Sequence, residues 1–229
     1  MNVLIINGSP KGERSNTMNL TRAFIEGAKW TDAELIDISR LDIKSCLGCY
    51  SCWSTTPGKC VINDDMAEVL PKIIKADVIV WSFPLYGCFF PGYMKVFTDR
   101  QLPLMLPEMV ESSESGDHPL RYDLSKQRHF YISTCGFWTS EGNYDSIIKL
   151  LERGYNTQDY KAFTIFCGQG ELFGVPELKE HTAQYLDIVR NAGEECISGS
   201  ISKETQEQLS VPLFPKEVFE KMANGSWDE

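Results

Sequence analysis

The sequence has 229 residues, of which 42% are hydrophobic and 24% charged, and its formal net charge is -10. This length and composition are typical of a globular domain with a full hydrophobic core. The acidic balance argues against a nucleic-acid surface, which needs clustered Lys and Arg, and no apolar run is long enough to cross a membrane. We therefore expect neither nucleic acid nor membrane among the partners.

The beginning of the chain leads directly into an apolar run, without the pattern of a signal peptide. This predicts a cytoplasmic location. In that reducing compartment, the eight cysteines favour metal or redox chemistry over a disulfide framework.

Predicted strands and helices alternate along the first part of the chain. Val3–Ile6 is a continuous apolar run, typical of a strand that is buried on both faces of a parallel sheet. A loop rich in glycine and hydroxyl groups follows, and Asn16–Ala28 then has helical periodicity. Glu34–Ile38 alternates like an edge strand. Asp65–Lys75 predicts a helix in which Asp65 is the N-cap and Glu68 its capping-box partner.

The same alternation continues towards the C-terminus. Further strands and helices are predicted, in chain order, at Asp77–Ser82 (strand), Pro91–Asp99 (helix), His129–Ser133 (strand), Tyr144–Arg153 (helix), Ala162–Phe166 (strand) and Pro176–Asn191 (helix). The polar segment Glu111–Asp117 predicts a mobile insertion. We divide the chain into a domain of residues 1–200 and a mostly polar tail of residues 201–229, with a helical segment near Val218. The tail is expected to pack on the domain or on a partner subunit.

Five strands alternating with helices predict an α/β fold, a doubly wound parallel sheet with right-handed crossovers and helices on both faces. Ligands of such sheets lie outside the carboxyl ends of the strands, near the point where the strand order reverses. The loops after the first, third and fourth strands are therefore the expected walls of one site.

The loop after the first strand has the character of a phosphate site. Its sequence, N-G-S-P-K-G-E-R-S-N-T, lacks both the nucleoside-triphosphate pattern G-x-x-x-x-G-K-[ST] and the dinucleotide pattern G-x-G-x-x-G. Free N–H groups and the helix dipole at the start of the next helix favour an anion, and the loop hydroxyls could donate to one terminal phosphate. FMN has such a phosphate. The loops P-L-Y-G and T-C-G-F-W could supply apolar faces for its ring.

Three segments carry a family resemblance: Asn7–Thr17, Ala76–Gly87 and Met94–Arg100. They are similar to the NADPH-dependent FMN reductase family of flavodoxin-like proteins. The resemblance covers about the first 100 residues and extends more weakly to about residue 170. It implies a flavodoxin-like sheet in the order 2-1-3-4-5, bound FMN, hydride transfer from NAD(P)H, and a homodimer or homotetramer.

The predicted FMN-binding residues come from the three loops: Ser9, Lys11, Ser15, Asn16, Thr17, Pro84, Leu85, Tyr86, Gly87, Thr134, Gly136 and Phe137. No catalytic residue is predicted, because the cofactor carries the chemistry and the protein supplies orientation and electrostatics. Lys95 and Asp99, four residues apart, are interpreted as a surface ion pair.

The cysteine-rich loop has the spacing C-x2-C-x2-C-x7-C, formed by Cys46, Cys49, Cys52 and Cys60. Three thiols at three-residue steps and a fourth after a loop suit a cuboidal cluster, whereas structural zinc more often uses two separated knuckles. The motif, with Asp64–Met66 beyond it, resembles the iron–sulfur flavoproteins, which implies a [4Fe-4S] cluster that exchanges single electrons with FMN. Cys60 is not followed by Pro, and reduced thiols, a redox disulfide and zinc stay open as alternatives.

Together these patterns predict an FMN-dependent NAD(P)H oxidoreductase that passes electrons to a quinone, a flavin or another small acceptor. The competing hypothesis is a non-enzymatic electron carrier, whose acidic surface would steer it towards a basic protein partner. A third is a binding protein that keeps the fold without holding flavin.

Overall fold

The computed structural model describes residues 1–109, 117–155 and 162–226. A parallel five-stranded sheet lies at the centre of this part of the chain. Its strands are β1 (Val3–Asn7), β2 (Glu34–Asp37), β3 (Val78–Pro84), β4 (Arg128–Thr134) and β5 (Ala162–Cys167). Their spatial order is β2-β1-β3-β4-β5, and each neighbouring pair is parallel. The predicted flavodoxin-like sheet is confirmed, and β2 is the predicted edge strand.

The central strands are apolar throughout because each face of the sheet is covered by a separate core. In β1, Leu4 and Ile6 point into one core, whereas Val3 and Ile5 point into the other. Since side chains alternate between the two faces of a strand, both alternating sets must be apolar in a strand buried on both sides. The continuous apolar run at the start of the chain has this physical cause.

Helices cover both faces of the sheet. In the described segments the α-helices are α1 (Asn16–Gly27), α2 (Met66–Lys75), α3 (Gly92–Asp99), α4 (Asp145–Tyr155), α5 (Lys179–Cys196), α6 (Lys203–Leu209) and α7 (Lys216–Gly225). Side chains of α2, α3 and α4 enter the first core, and those of α1, α5 and α6 enter the second. The carboxyl edge of the sheet is left for the loops after β1, β3 and β4.

The predicted capping box at α2 is wrong. Asp65 has helical backbone angles, and its side chain caps no N–H group of the helix. Its carboxylate instead accepts a hydrogen bond from the backbone of Asp42 (2.7 Å), while Asp64 accepts one from the N–H of Met66 (3.2 Å). Asp65 thus serves a residue across the loop, and Asp64 bonds the first N–H of the helix in its place, a change of partners that local spacing does not reveal.

Helices α3, α4 and α5 begin later than predicted, α4 by a single residue at Asp145. Pro91 precedes α3 as its N-cap residue, and Pro176–Leu178 forms a short 3-10 turn before α5 begins at Lys179. The predicted ion pair of Lys95 and Asp99 is confirmed on the exposed face of α3. The segment predicted to be a mobile insertion, Glu111–Asp117, lies outside the described residues except for Asp117.

The chain beyond residue 200 contacts the second core. Ile201 and Leu209 are buried there, and Ser202 caps α6 by accepting a hydrogen bond from the N–H of Thr205 (3.2 Å). Further along, the backbone of Phe214 is held by the side chains of Trp138 and Gln169. These contacts tie the segment to the loops after β4 and β5.

Candidate functional site

The loop after β1 forms a cradle of buried hydroxyl groups. Ser9, Ser15 and Thr17 are each no more than 3% exposed, whereas Asn16 is half-buried and Lys11 is exposed. Ser15 is the N-cap of α1 and accepts a hydrogen bond from the N–H of Met18 (3.2 Å). The N–H groups of Asn16 and Thr17 lie in the first helical turn, where no intrahelical acceptor exists. The loop thus presents the buried hydroxyls and free N–H groups that an anion site needs.

Gly12 gives this loop its shape. Its φ angle is +58°, and a Cβ atom there would lie 2.6 Å from Oδ2 of Asp37. Asp37 ends β2, and its carboxylate is held by Arg40 (3.1 Å) and by the hydroxyl of Ser39 (2.7 Å). Only glycine combines the left-handed conformation with this close approach.

Asn7 is a site residue that the sequence reasoning missed. It is fully buried at the end of β1, and its Oδ1 accepts a hydrogen bond from the N–H of Ser9 (3.1 Å). Its Nδ2 is buried without a hydrogen-bond partner among the described residues. A buried donor that lacks an acceptor costs free energy, so its place beside an anion cradle is consistent with a ligand acceptor.

The three predicted loops meet at one edge of the sheet. Thr17 and Thr134 share a hydrogen bond between their Oγ1 atoms (2.6 Å), which joins the first loop to the loop after β4. The carbonyl of Thr134 accepts a hydrogen bond from the N–H of Leu85 (2.9 Å), which joins that loop to the one after β3. These residues, far apart in the chain, are therefore brought together as expected.

The loop after β3 is a tight turn with one exposed ring. Tyr86 and Phe89 pair across Gly87 and Cys88, which have φ angles of +55° and +58°. Tyr86 is 49% exposed, whereas Pro84 is half-buried and the side chain of Leu85 packs into the first core. Of the predicted apolar faces in this loop, Tyr86 is thus the one that is openly accessible.

The loop after β5 packs against the loop after β4 and donates hydrogen bonds to it. The N–H groups of Gln169 and Gly170 donate to the carbonyls of Phe137 and Cys135, both at 2.8 Å. Gly170 approaches Thr134 so closely that a Cβ atom there would lie 2.6 Å from the Thr134 Cβ. Gly136 itself is exposed, and so is the ring of Phe137.

Glu171 is a second residue that the sequence reasoning missed. Although the residue is exposed overall, one carboxylate oxygen lies 3.6 Å from the position that a Cβ atom on Gly136 would occupy. Partial burial raises the pKa of this carboxyl group, with a backbone hydrogen bond opposing the shift. No spacing in the sequence connects Glu171 with the loop after β4, because the contact depends on the pairing of β4 with β5.

The four predicted metal-ligating cysteines line one pocket. Cys46 and Cys49 are exposed, Cys60 is half-buried and Cys52 is buried. The N–H of Gly48 donates a hydrogen bond to the sulfur of Cys46 (3.5 Å). Among the described residues, no group of three or more His, Cys, Asp or Glu is arranged to hold a single metal ion.

Local contacts shift the pKa values of two of these thiols in opposite directions. Hydrogen bonds from Ser51 lower the pKa of Cys49. Burial, followed by the nearby Cys60, raises the pKa of Cys52. The cysteine loop therefore favours the thiolate at Cys49 and the neutral thiol at Cys52. A bound cation would hold the thiols as thiolates.

Helix α3 connects the two candidate sites. Its first residue follows the loop after β3, and the residues at its end, Asp99 and Arg100, line the cysteine pocket. Eight residues at about 1.5 Å per residue make the helix about 12 Å long. The cysteine pocket is thus one short helix away from the loop that carries Tyr86.

No helix in the described part of the chain is long and apolar enough to cross a membrane.

The likeness to known proteins lies mainly in the first half of the chain, where residues 1–110 match the family described as NADPH-dependent FMN reductase. This part of the chain, just under half of its length, therefore resembles that family. The resemblance predicted from the three sequence segments is confirmed, and the FMN reductase region contains the first two loops, the cysteine loop and α3.

Named relatives of the FMN reductase region include iron–sulfur flavoproteins. That of Methanocaldococcus jannaschii is 31% identical over 117 residues, which cover 51% of this chain and 60% of the relative. That of Archaeoglobus fulgidus is 37% identical over 102 residues, covering 44% of this chain and 48% of the relative. The chain thus spans about half the length of the curated relatives that it matches.

Solved structures extend the likeness of the fold beyond the FMN reductase region. An FMN-dependent NADH-azoreductase from Bacillus anthracis, solved in complex with FMN, superposes with a TM-score of 0.60. It is 20% identical and covers 85% of this chain and 99% of its own. At that identity the comparison supports the flavodoxin-like fold alone.

Proposed function

We propose that the loops after β1, β3 and β4 bind FMN and that the protein is an FMN-dependent NAD(P)H oxidoreductase. The contact between Thr17 and Thr134 carries the proposal, because it places the anion cradle beside the loop with exposed Gly136 and Phe137. The phosphate of FMN would occupy the cradle, and its flat ring would lie against the loop with Gly136 and Phe137. The match of residues 1–110 to the FMN reductase family supports the same assignment.

The residues of the cradle suit a phosphate monoester. The N–H groups at the start of α1 and the hydroxyls of Ser9, Ser15 and Thr17 offer hydrogen-bond donors, and the helix dipole adds positive potential. Nδ2 of Asn7, which has no hydrogen-bond partner among the described residues, offers another donor. Hydrogen bonds to a charged group contribute about 1.5–3 kcal/mol each, so several donors suffice to hold the phosphate.

Tyr86 and Phe137 would flank the ring, and the backbone could approach it at Gly87 and Gly136. FMN, when bound, supplies the capacity to accept hydride from a nicotinamide and to release electrons to an acceptor. The protein would orient the ring and leave one side open to NAD(P)H and then to a quinone, a flavin or another small electrophile. Glu171 beside Gly136 would set the charge at the edge of this space.

The cysteine pocket is proposed to hold a [4Fe-4S] cluster. Its donor set fits, because four thiols line one pocket and one of them, Cys46, accepts an N–H hydrogen bond. The names of the relatives, iron–sulfur flavoproteins, support the proposal. A cluster there would supply single-electron steps beside the two-electron chemistry of a flavin. Reduced thiols, a redox disulfide and zinc are the alternatives.

Anaerobic purification and an absorption spectrum test the flavin and the cluster together. We expect flavin bands, a broad shoulder near the blue edge of the flavin absorption, and iron and acid-labile sulfide in equal amounts. Zinc without sulfide, or iron-free protein after reconstitution, would contradict the cluster and leave the flavin proposal intact. Protein that takes up no FMN would contradict the proposed function as a whole.

Steady-state kinetics separates an enzyme from a carrier. The loaded protein, mixed with NADH or NADPH and a quinone, should oxidise the nicotinamide over many turnovers without any protein partner. Turnover that appears only when a second electron-transfer protein is added would instead support a carrier.

We further propose that the protein acts in the cytoplasm as a homodimer or homotetramer. Leu47, Tyr50 and Val61, at the cysteine pocket, are large apolar residues that are about half exposed or more, as expected for a surface that self-associates. Sedimentation velocity at micromolar concentration should show a dimer or tetramer, and a monomer at every concentration would contradict this.

A further inference from the structure

Asp64 and Arg100 form a buried ion pair beside the cysteine pocket. The guanidinium binds both carboxylate oxygens, with Nη1 at 2.6 Å from Oδ2 and Nη2 at 2.9 Å from Oδ1. The two side chains are no more than 1% exposed. Asp64 opens the D-D-M segment beyond Cys60, and Arg100 closes the M-K-V-F-T-D-R segment, so two separate sequence motifs meet in one contact.

The Asp64–Arg100 pair forms hydrogen bonds with the backbone at both ends of the segment that carries the cysteines. Nη1 of Arg100 also donates to the carbonyl of Lys44 (2.6 Å), and Oδ2 of Asp64 accepts from the N–H of Lys44 (3.0 Å). Oδ1 of Asp64 accepts from the N–H of Met66 (3.2 Å). Since Lys44 precedes Cys46 and Met66 follows Cys60, the pair closes the base of the cysteine loop.

Arg100 also belongs to the wall of the pocket itself. It lines the same pocket as the four cysteines, and its Nε is buried without a hydrogen-bond acceptor among the described residues. Burial lowers the pKa of Arg100, but the hydrogen bonds to Asp64 and the neighbouring Cys60 raise it by more, so the guanidinium stays charged. A permanent positive charge thus lies next to the thiols, beside Cys60, and Nε has no hydrogen-bond acceptor in range among the described residues.

Stability alone does not explain this arrangement. Buried ion pairs often contribute no more stability than apolar residues of the same volume, because both charges must be desolvated. An orphaned N–H on a buried guanidinium adds a further cost. Both features become favourable if the pocket holds an anionic group.

We propose that Arg100 is a positioning residue of the cysteine pocket, which closes the loop through Asp64 and directs its charge and its free N–H towards an anionic metal–sulfur centre. The proposal rests on the cluster named under the proposed function. Nearby charge and hydrogen bonds to sulfur tune the potential of such centres. Because reduction adds negative charge, Arg100 should favour the reduced state and Asp64 should disfavour it.

Substitutions of opposite sign test this idea in the anaerobically purified holoprotein. In R100Q the pocket loses a positive charge, so the midpoint potential of the centre should become more negative. In D64N it loses a negative charge, so the potential should become less negative. The double variant R100Q/D64N restores the charge balance and should lie between the two. R128Q is the control, because Arg128 bonds the carbonyl of Cys196 near the second core, and its potential should equal that of wild type.

The rate at which a chelator removes iron reports how firmly the ion pair closes the cysteine loop. Each single variant should lose iron to a chelator about tenfold faster than wild type, in line with the effect of outer-shell residues on metal affinity. R100K, which keeps the charge but not the planar fork, should lose iron faster at a nearly unchanged potential. It serves in place of R100Q and D64N should these fail to fold, as judged by circular dichroism and FMN binding.

A purely structural pair would speed iron loss without moving the potentials in opposite directions. Shifts of the same sign in R100Q and D64N, or R100K that matches wild type in iron retention, would overturn the role of Arg100 while the cluster stands. Wild-type protein that binds FMN but takes up no iron and sulfide on reconstitution would overturn the cluster and the role of Arg100 together. It would leave the flavin proposal standing.

Discussion

Thr17 and Thr134 share a hydrogen bond of 2.6 Å although 117 residues separate them in the chain. One lies at the start of α1 and the other at the end of β4. Their contact brings the hydroxyl cradle next to the loop with exposed Gly136 and Phe137, as the proposed FMN site requires. Replacing Thr17 by Val should raise the dissociation constant for FMN about tenfold, because one buried hydroxyl is lost and another is left without its partner.

Fluorescence quenching of FMN measures this change directly. The matched control is T182V, which removes a buried hydroxyl of α5 whose acceptor, among the described residues, is the carbonyl of Lys179 in the same helix. T182V should bind FMN like the wild-type protein. Equal affinities of T17V and T182V would contradict the placement of the cradle.

Replacing Gly12 by Ala should lower both the stability of the protein and its affinity for FMN. In G12A the new methyl group would meet Asp37, and the residue would keep a left-handed conformation that costs about 1–2 kcal/mol. The free energy of unfolding in urea should fall by at least this amount, and FMN should bind more weakly. G225A is the control, since a Cβ atom there meets open space. If G12A unfolds like G225A, the loop adapts and the prediction is wrong.

His129 predicts a particular dependence of stability on pH. Burial lowers its pKa to about 3, from an ordinary value of 6.5. Its Nδ1 accepts a hydrogen bond from Nε1 of Trp81 (3.1 Å), and a proton on Nδ1 would meet that N–H. Below pH 6.5 the unfolded chain therefore takes up a proton that the folded chain refuses. The free energy of unfolding should fall by up to about 1.4 kcal/mol per pH unit, until the pH approaches 3.

The variant H129N removes this titration and keeps an acceptor for Trp81. It should be less stable than wild type at pH 7, and the difference should narrow as the pH falls to 5. Urea unfolding at several pH values measures both curves. Parallel curves would mean that the ring titrates freely in the folded protein.

Gln169 predicts that the C-terminal segment stabilises the loop after β4. Its side chain is fully buried and bonds both the N–H and the carbonyl of Phe214, as well as the carbonyl of Trp138. Q169L should lower the free energy of unfolding by about 3 kcal/mol, because these groups are left unpaired. Q208L, on the exposed face of α6, should change it little. Equal stability of the two variants would contradict this.

The sheet could be predicted because its signals are local. β1 and β3 are apolar on both faces, and such runs need no knowledge of their neighbours. Helix α6 was missed for the opposite reason: of its seven residues only Thr205 and Leu209 are buried, so its polar sequence gives no helical periodicity.

The candidate site was only partly predictable for a similar reason. The loop hydroxyls and glycines follow one another in the chain, so their pattern can be recognised locally. The roles of Glu171 and Arg100 depend instead on contacts with distant segments, and that of Asn7 depends on its burial at the end of β1. The error at Asp65 has the same origin, since its carboxylate serves Asp42 across the loop. Spacing along the chain does not encode such partners.

Comparison of FMN with riboflavin tests the central proposal most directly, because the two ligands differ only in the phosphate. If the cradle of Ser9, Ser15 and Thr17 binds that phosphate, two charged hydrogen bonds alone make FMN bind about 100-fold more tightly than riboflavin. Titration of the flavin-free protein, followed by fluorescence, should show this ratio, and it should narrow in T17V. Equal affinities for the two flavins, or no binding of either, would contradict the account.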